Sequence, residues 1–238
     1  MRNVKQIYRA NSQHWVGDGF LVQPLFSHMG EDRGTNPFLM LDYAAPYEFS
    51  PNEARSPRGV GQHPHKGFET VTIAYHGEVA HRDSSGGGGI IYEGDVQWMT
   101  AGSGIIHEEF HSENFSKQGG LFEMVQLWVN LPAKDKNTQP RYQHLAKAGI
   151  PVVELPDEAG CLRLIAGEYK GVKGAADTFT EMNVWDIVLN ANKKAVLEIP
   201  EAHNLSMVVL RGNVTLNGKE QAGAGQLVGF EKSGGNVH

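Results

Sequence analysis

The sequence predicts an all-β protein built from two small β-barrels. Short apolar runs of strand length alternate with Gly, Asn, Asp and Pro, and 29 of the 238 residues are glycine. A similar succession of strands and turns recurs in both halves of the chain. With 40% hydrophobic and 20% charged residues, the composition is that of a globular protein. This length is sufficient for two modest β domains.

The first half of the chain contains a series of strand-like segments. The β-rich runs are 4–8, 20–26, 37–43, 70–75, 79–83, 90–92, 96–99 and 121–131, of which the last alternates most clearly. Residues 44–60 carry three prolines, and we expect a loop there that leads to His63. Residues 84–89 end in four glycines and predict a flexible hairpin tip. A phosphate-binding loop is the alternative, but no Gly-Lys-Ser/Thr follows the glycines.

The second half resumes the strand pattern after a polar segment. Residues 134–149 are predicted to be a linker with a short helix at 143–147, between a domain of residues 1–133 and a domain of residues 150–238. The strand-like runs of the second domain are 152–153, 162–166, 178–187, 195–199, 205–210, 214–216 and 226–230.

An internal similarity supports the division into two domains. Residues 73–79 resemble 208–214, and residues 94–99 resemble 225–230. The positions that correspond to the first histidine pair hold no histidine in the second half, so the second barrel is expected to bind no metal. The chain ends at His238 within this second pattern. We therefore expect the second barrel to lack its last strands, through a truncated chain or an open edge.

Two pairs of potential metal ligands carry the chemistry of the first half. His63 and His65 are two residues apart, as are His107 and Glu109. Residues i and i+2 of a β-strand project from the same face, so each pair can converge on one point. The same alternation turns Glu108 away. We predict a single metal ion held by three imidazoles and the Glu109 carboxylate.

The nature of this ligand set favours a divalent first-row metal. Three nitrogens and one oxygen suit Fe, Mn, Ni, Co, Cu or Zn, and Fe(II) is favoured because a six-coordinate ion keeps open positions. The alternative is that the His-Pro-His segment is an ordinary loop. Four further residues are expected to be solvated, to support the ligands or to be simple strand residues: His76, His81, His111 and Glu69.

Charge, cysteine content and hydropathy exclude several classes of function. The net charge is −6 with no basic run, which argues against direct binding of nucleic acid. Cys161 is the only cysteine, so neither an intrachain disulfide nor a cysteine zinc cluster can form. No signal-like or membrane-spanning apolar run is visible. The expected setting is a reducing cytoplasm, and the expected state is a monomer.

Several segments resemble the pirin family of the cupin superfamily. The matching segments are PFLMLD (37–42), HPHKGFET (63–70), GDVQWMTAG (94–102), GIIHEE (104–109) and QLWVNL (126–131). The resemblance implies a bicupin, in which two double-stranded β-helix barrels face each other and only the N-terminal one binds metal. It also implies iron as the metal, with His63, His65, His107 and Glu109 as its ligands.

The resemblance implies two functions of different classes. Some pirins are similar to quercetin 2,3-dioxygenases, which open the ring of a flavonol with O2, and here Glu109 would serve as the general base toward a flavonol-like substrate. Others act as iron-dependent regulators, which predicts a non-enzymatic redox sensor that binds a protein partner. A purely structural metal is a third interpretation.

Overall fold

The computed structural model describes residues 1–30, 33–53 and 55–238, and its regular structure is almost entirely β. The strands are β1 (Val4–Arg9), β2 (His14–Val16), β3 (Phe20–Ser27), β4 (Phe38–Phe49), β5 (Gly59–His65), β6 (Phe68–His76), β7 (Val79–Asp83), β8 (Gly88–Ile91), β9 (Val96–Thr100), β10 (Ile105–His111), β11 (Gly120–Asn130), β12 (Arg141–Leu145), β13 (Val152–Leu155), β14 (Gly160–Ala166), β15 (Glu168–Tyr169), β16 (Val172–Lys173), β17 (Val184–Leu189), β18 (Ser206–Val209), β19 (Asn213–Leu216), β20 (Glu220–Gly223) and β21 (Gln226–Phe230). Within these described ranges, one α-helix, α1 (Glu113–Gln118), and three short 3-10 helices interrupt the strands. The predicted all-β class is confirmed.

The first half is a sandwich of two sheets. One sheet has the strand order β12-β9-β6-β11-β4-β3-β2, and the other has the order β5-β10-β7-β8. Buried side chains from both sheets meet in one apolar cluster, which includes Phe20, Ala74, Val79, Ile91 and Phe122. Among the described residues no ladder of hydrogen bonds joins the two sheets into a closed barrel. The site lies between these sheets.

The outer face of the larger sheet packs against the second half of the chain. The largest apolar cluster combines Val71, Trp98 and Val125 of the first half with Ile165 and Leu227 of the second. The second half forms the three-stranded sheet β13-β14-β17 and two short hairpins, β15-β16 and β19-β20, and its strands β21 and β18 form another sheet with the first strand of the chain, in the order β1-β21-β18. Strand β1 therefore pairs with a strand near the other end of the chain. The domain boundaries at 133 and 150 stay a prediction.

The predicted loop at 44–60 is shorter than expected. Strand β4 continues to Phe49 and pairs with β11, although Pro46 lies within it. The register between these strands shifts between the pairs Met124↔Ala44 and Phe122↔Tyr47, so Pro46 falls in a bulge. A proline is tolerated there because a bulged residue need not donate a hydrogen bond to the neighbouring strand. Position 54 of the predicted loop lies outside the described residues.

One predicted helix is wrong, and one helix of the structure was not predicted. Residues 143–147 do not form a helix: Arg141–Leu145 is strand β12 and pairs with β9, so part of the predicted linker belongs to the large sheet. The helix Glu113–Gln118 was not predicted. Ser112 caps it by accepting a hydrogen bond of 3.0 Å from the backbone of Phe115, and Gly119 ends it at φ 66°. Serine before glutamate and a glycine after one and a half turns were the signal.

In the second half, two predicted strands differ from the structure. The strand predicted at 178–187 begins only at Val184, and 195–199 holds a single bridge, between Leu197 and Val237. In the described part of the chain no helix has both the length and the hydropathy to cross a bilayer.

Candidate metal centre

The two histidine-bearing strands are neighbours in the smaller sheet. Strands β5 and β10 run antiparallel, with His107 directly opposite His63 and Ile105 opposite His65. The register then shifts, so that Glu109 lies opposite Val60. Opposite residues of an antiparallel pair project from the same face. The pairing therefore brings the two predicted ligand pairs onto one face, toward the interior of the sandwich.

The three imidazoles converge through their Nε2 atoms. His107 Nε2 lies 3.0 Å from His65 Nε2 and 2.9 Å from His63 Nε2. Their potential ligand atoms all fall within 4.8 Å of one another. His63 Nδ1 lies 2.8 Å from the carbonyl oxygen of Gly61, and donation there leaves the lone pair on Nε2. Three imidazole nitrogens aimed at one point fit a metal ion better than a set of mutual hydrogen bonds.

Burial keeps two of these histidines neutral. Desolvation, followed by the neighbouring histidines, lowers the pKa of His65 to about 3. Desolvation and His63 lower the pKa of His107 to about 4. Neutral imidazole is the form that binds a metal. At neutral pH the imidazoles of His65 and His107 are therefore in the form that can bind a cation.

Glu109 lies inside the sandwich, but outside the histidine group. Its Oε2 accepts a hydrogen bond of 3.2 Å from Gln126 Nε2, and its Oε1 lies 3.5 Å from the hydroxyl of Thr72. Burial raises the pKa of this carboxyl, and His81 acts against that shift. The structure thus brings together His63, His65 and His107. Glu109 as the fourth ligand stays a prediction.

Glu108 projects away from the site, as the alternation predicts. Its carboxylate forms an ion pair with Arg82 on the neighbouring strand β7. A groove of about 230 Å³ reaches His107 and is lined also by Gln62, Arg82, Asp83, Ser84, Ile106 and Glu108. A larger groove of about 530 Å³ lies at Trp15, Tyr47 and Arg58, and no histidine of the triad lines it.

The remaining candidates have separate surroundings. His76 forms an ion pair of 3.2 Å with Glu93 at the end of β6. His111 is buried and donates to the carbonyl oxygen of Gly19 over 2.9 Å, so it is neither solvated nor a ligand. The Glu69 carboxylate accepts a hydrogen bond from Thr100 over 2.7 Å.

The sequence-based interpretation missed Thr72 and Gln126 beside Glu109, and it named His81 only as a solvated or supporting residue. Thr72 and Gln126 hold its carboxylate, and His81 lies directly opposite it on β7 and hydrogen-bonds to Tyr142. Polar residues that interrupt buried apolar strands, such as Gln126 in β11, were the signal for two of them. That these side chains come together depends on the order of the strands in the two sheets.

The β-sandwich and the ligand pairs on adjacent antiparallel strands define a cupin-type protein with a histidine triad that could hold a metal ion. The sequence pattern of the pirin family matches residues 19–129. The protein "Putative quercetin 2,3-dioxygenase PA2418" of Pseudomonas aeruginosa is 56% identical over 216 residues, which are 91% of this chain and 75% of that protein. The chain therefore belongs to the pirin family.

Two further comparisons agree with this assignment. Pirin-like protein 2 of Arabidopsis thaliana is 37% identical over 225 residues, 88% of this chain, and the chain spans 65% of that protein's length. The crystal structure of quercetin 2,3-dioxygenase from Acinetobacter baumannii superimposes with a TM-score of 0.95 at 51% identity, covering 100% of this chain and 82% of that one. The predicted cupin fold is confirmed.

Proposed function

We propose that this chain is a metal-dependent dioxygenase that opens the ring of flavonol-like substrates with O2. The observation that carries the proposal is the convergence of three imidazole nitrogens beside a buried carboxylate. Two relatives, from Pseudomonas aeruginosa and Acinetobacter baumannii, carry quercetin 2,3-dioxygenase in their names. Fe(II) is the proposed metal, because nitrogen and oxygen ligands with open positions suit it.

The histidine triad would hold the metal, and a carboxylate of the protein would accept the proton of the substrate hydroxyl. When bound, a divalent ion of this kind supplies Lewis acidity and electron exchange with O2. Glu109 accepts the proton of the substrate hydroxyl at a carboxylate oxygen. Burial raises the pKa of Glu109, which brings this carboxylate closer to the basicity that a general base needs at neutral pH. Gln126 and Thr72 orient the two carboxylate oxygens.

The proposed substrate would lie against aromatic side chains beside the triad. The ring centroid of His65 is 5.1 Å from that of Phe68 and 5.4 Å from that of Trp128. Flat aromatic walls next to a metal site suit a planar aromatic substrate.

The proposal is tested by exchanging one of two adjacent glutamates. Glu109→Gln keeps the size of the side chain and removes its basicity, so oxygen uptake with quercetin and iron-loaded protein is expected to fall by about 10²–10⁴-fold. Glu108→Gln, on the opposite face of the same strand, is the matched control and is expected to retain activity. Oxygen electrode traces with metal content measured on each sample give the comparison. Failure of the fully loaded wild type to consume oxygen with any flavonol would refute the proposal.

A further inference from the structure

Among the buried side chains inside the first sandwich, Gln97 and His81 have polar atoms without a partner in the described residues, as does His107 at Nδ1. Gln97 is 0% exposed, and neither its amide nitrogen nor its amide oxygen has a hydrogen-bond partner among the described residues. His81 is 5% exposed, and its Nδ1 also lacks a partner there. An unpaired buried polar group destabilises the folded protein. A bound polar molecule would give Gln97 and His81 the hydrogen-bond partners that the described residues do not supply.

Gln97 belongs to a row of polar side chains that crosses the large sheet. Gln97 of β9 lies opposite Thr72 of β6, and Thr72 lies opposite Gln126 of β11. Opposite residues share a face, so all three project into the sandwich. Thr72 and Gln126 contact the Glu109 carboxylate, and Gln97 is the next member of the row. The free amide is therefore one strand away from the groups that hold the proposed base.

His81 lies on the smaller sheet, which faces this row of polar side chains. It lies opposite Glu109 across strands β7 and β10, and its Nε2 hydrogen-bonds to the Tyr142 hydroxyl. Tyr142 of β12 pairs with Met99 of β9, two residues from Gln97. Strand β7 flanks β10 on the edge opposite to β5. These three polar groups therefore lie on the side of Glu109 that faces away from His63 and His65.

We propose that Gln97, His81 and Tyr142 form a second polar subsite, which binds hydroxyl groups of the flavonol that are remote from its reacting hydroxyl. This inference rests on the proposed function. A phenolic hydroxyl both donates and accepts a hydrogen bond, and the Gln97 amide offers one acceptor and one donor group. The site thus has a reactive part at Glu109 and the triad, and a recognition part beyond it.

The subsite makes a prediction about substrate choice. A flavonol without remote hydroxyls leaves the buried amide unpaired, and such a site rejects the analogue that lacks the matching group. Quercetin carries hydroxyls on both outer rings, whereas 3-hydroxyflavone carries only the reacting one. The wild-type protein is therefore expected to bind quercetin more tightly than 3-hydroxyflavone.

The experiment compares both flavonols on the iron-loaded full chain and on Gln97→Leu. Binding is followed by quenching of tryptophan fluorescence without oxygen, so no turnover is needed. The substitution is expected to raise the Kd of quercetin by about 10-fold, the equivalent of one hydrogen bond to a buried group. The Kd of 3-hydroxyflavone is expected to change by less than about twofold, since it makes no such bond. In turnover assays in air, Gln97→Leu is expected to raise KM for quercetin and to leave kcat unchanged.

A neighbouring glutamine provides the matched control. Gln143 of β12 projects from the other face, and both ends of its amide are bonded to the backbone of Asp177, at 3.0 and 2.9 Å. Gln143→Leu is expected to leave the preference for quercetin unchanged. Gln97→Leu replaces an unpaired amide by an apolar group of similar size, so its melting temperature is expected to be at least as high as that of the wild type. Tyr142→Phe, which removes a single hydroxyl, is a second variant with the same expected loss of preference.

The possible outcomes separate this inference from the proposed function. Equal changes in Kd for both flavonols, or none for either, overturn the subsite and leave the dioxygenase intact. Loss of the preference for quercetin without any oxygen uptake supports the subsite and overturns the dioxygenase. Absence of binding by either flavonol to the wild type overturns both.

Discussion

His111 shows how the interior of this protein controls the charge of a single residue. The imidazole lies among the rings of Phe20, Phe49 and Phe122, with centroid distances of 5.8, 4.6 and 5.0 Å. Desolvation lowers its pKa to about 4, against the raising effect of its hydrogen bond to Gly19. In the unfolded chain the same group has a pKa near 6.5. His111 is therefore neutral in the folded protein and takes up a proton on unfolding below that pH.

This difference predicts the pH dependence of stability. Because the folded-state pKa of His111 is lowered, its stabilising contribution is present above pH 6.5 and is lost as the pH falls toward 4. His111→Phe removes this titration, so the loss of unfolding free energy between pH 7 and pH 5 is expected to shrink by about 2 kcal/mol. Urea unfolding at both pH values, with a chelator present, measures it. Exposed His14→Phe is the control, and an unchanged pH dependence in His111→Phe would contradict the prediction.

At the scale of single elements, strand β5 is the part of the fold that fixes the histidine pair. A Cβ on Gly59 would approach the backbone oxygen of Glu109 to 2.2 Å, because Gly59 lies directly opposite Phe110 where the two strands are close together. A Cβ on Gly61, in the same strand, would meet nothing within 4 Å. The strand pairing that positions His63 and His65 therefore requires a glycine at position 59 but not at position 61.

The two glycines form a matched pair for experiment. Gly59→Ala is expected to lower the free energy of unfolding by about 1–3 kcal/mol and to reduce bound metal, because the strand must move away from β10. Gly61→Ala is expected to change stability by less than about 0.5 kcal/mol and to keep the metal. Thermal unfolding and metal analysis of both variants test this. Equal behaviour of the two would show that close contact with β10 does not position the histidines.

At the scale of the whole molecule, a buried carboxylate links the two halves. Glu123 of β11 is 0% exposed, accepts a hydrogen bond of 2.7 Å from the Tyr43 hydroxyl, and is paired with Arg211 from the second half. Arg163 of the second half reaches back and donates to the carbonyl oxygen of Gly94 over 2.6 Å. These polar contacts border the largest apolar cluster, which also contains residues of both halves.

Removing the partner of this carboxylate is expected to weaken the whole fold. Arg211→Ala leaves Glu123 buried with one donor fewer, which is expected to cost about 1–3 kcal/mol. Adding Glu123→Gln to that variant removes the stranded charge and is expected to restore part of the loss. Lys117→Ala breaks an exposed pair with Glu113 and is expected to cost less than about 0.5 kcal/mol. Denaturant unfolding measures all three, and an Arg211→Ala variant as stable as the Lys117→Ala variant would contradict the prediction.

Local patterns in the sequence predict the class of the fold and the three histidines that converge in the structure, His63, His65 and His107. Both follow from alternation along single strands, which is a local property: polar and apolar residues that alternate define a strand with one buried face. The same rule separated Glu108 from Glu109. The pattern of apolar runs and glycine turns also predicted most other strands of the first half.

The choice of neighbouring strands depends on how the whole chain packs. Arg141–Leu145 became a strand rather than a helix because β9 offered it an open edge, and Val4–Arg9 pairs with Gln226–Phe230 at the far end of the chain. The row from Gln97 through Thr72 to Gln126 exists only because β9, β6 and β11 lie side by side. Pairing of strands distant in sequence depends on packing of the whole chain, so no local pattern contains it.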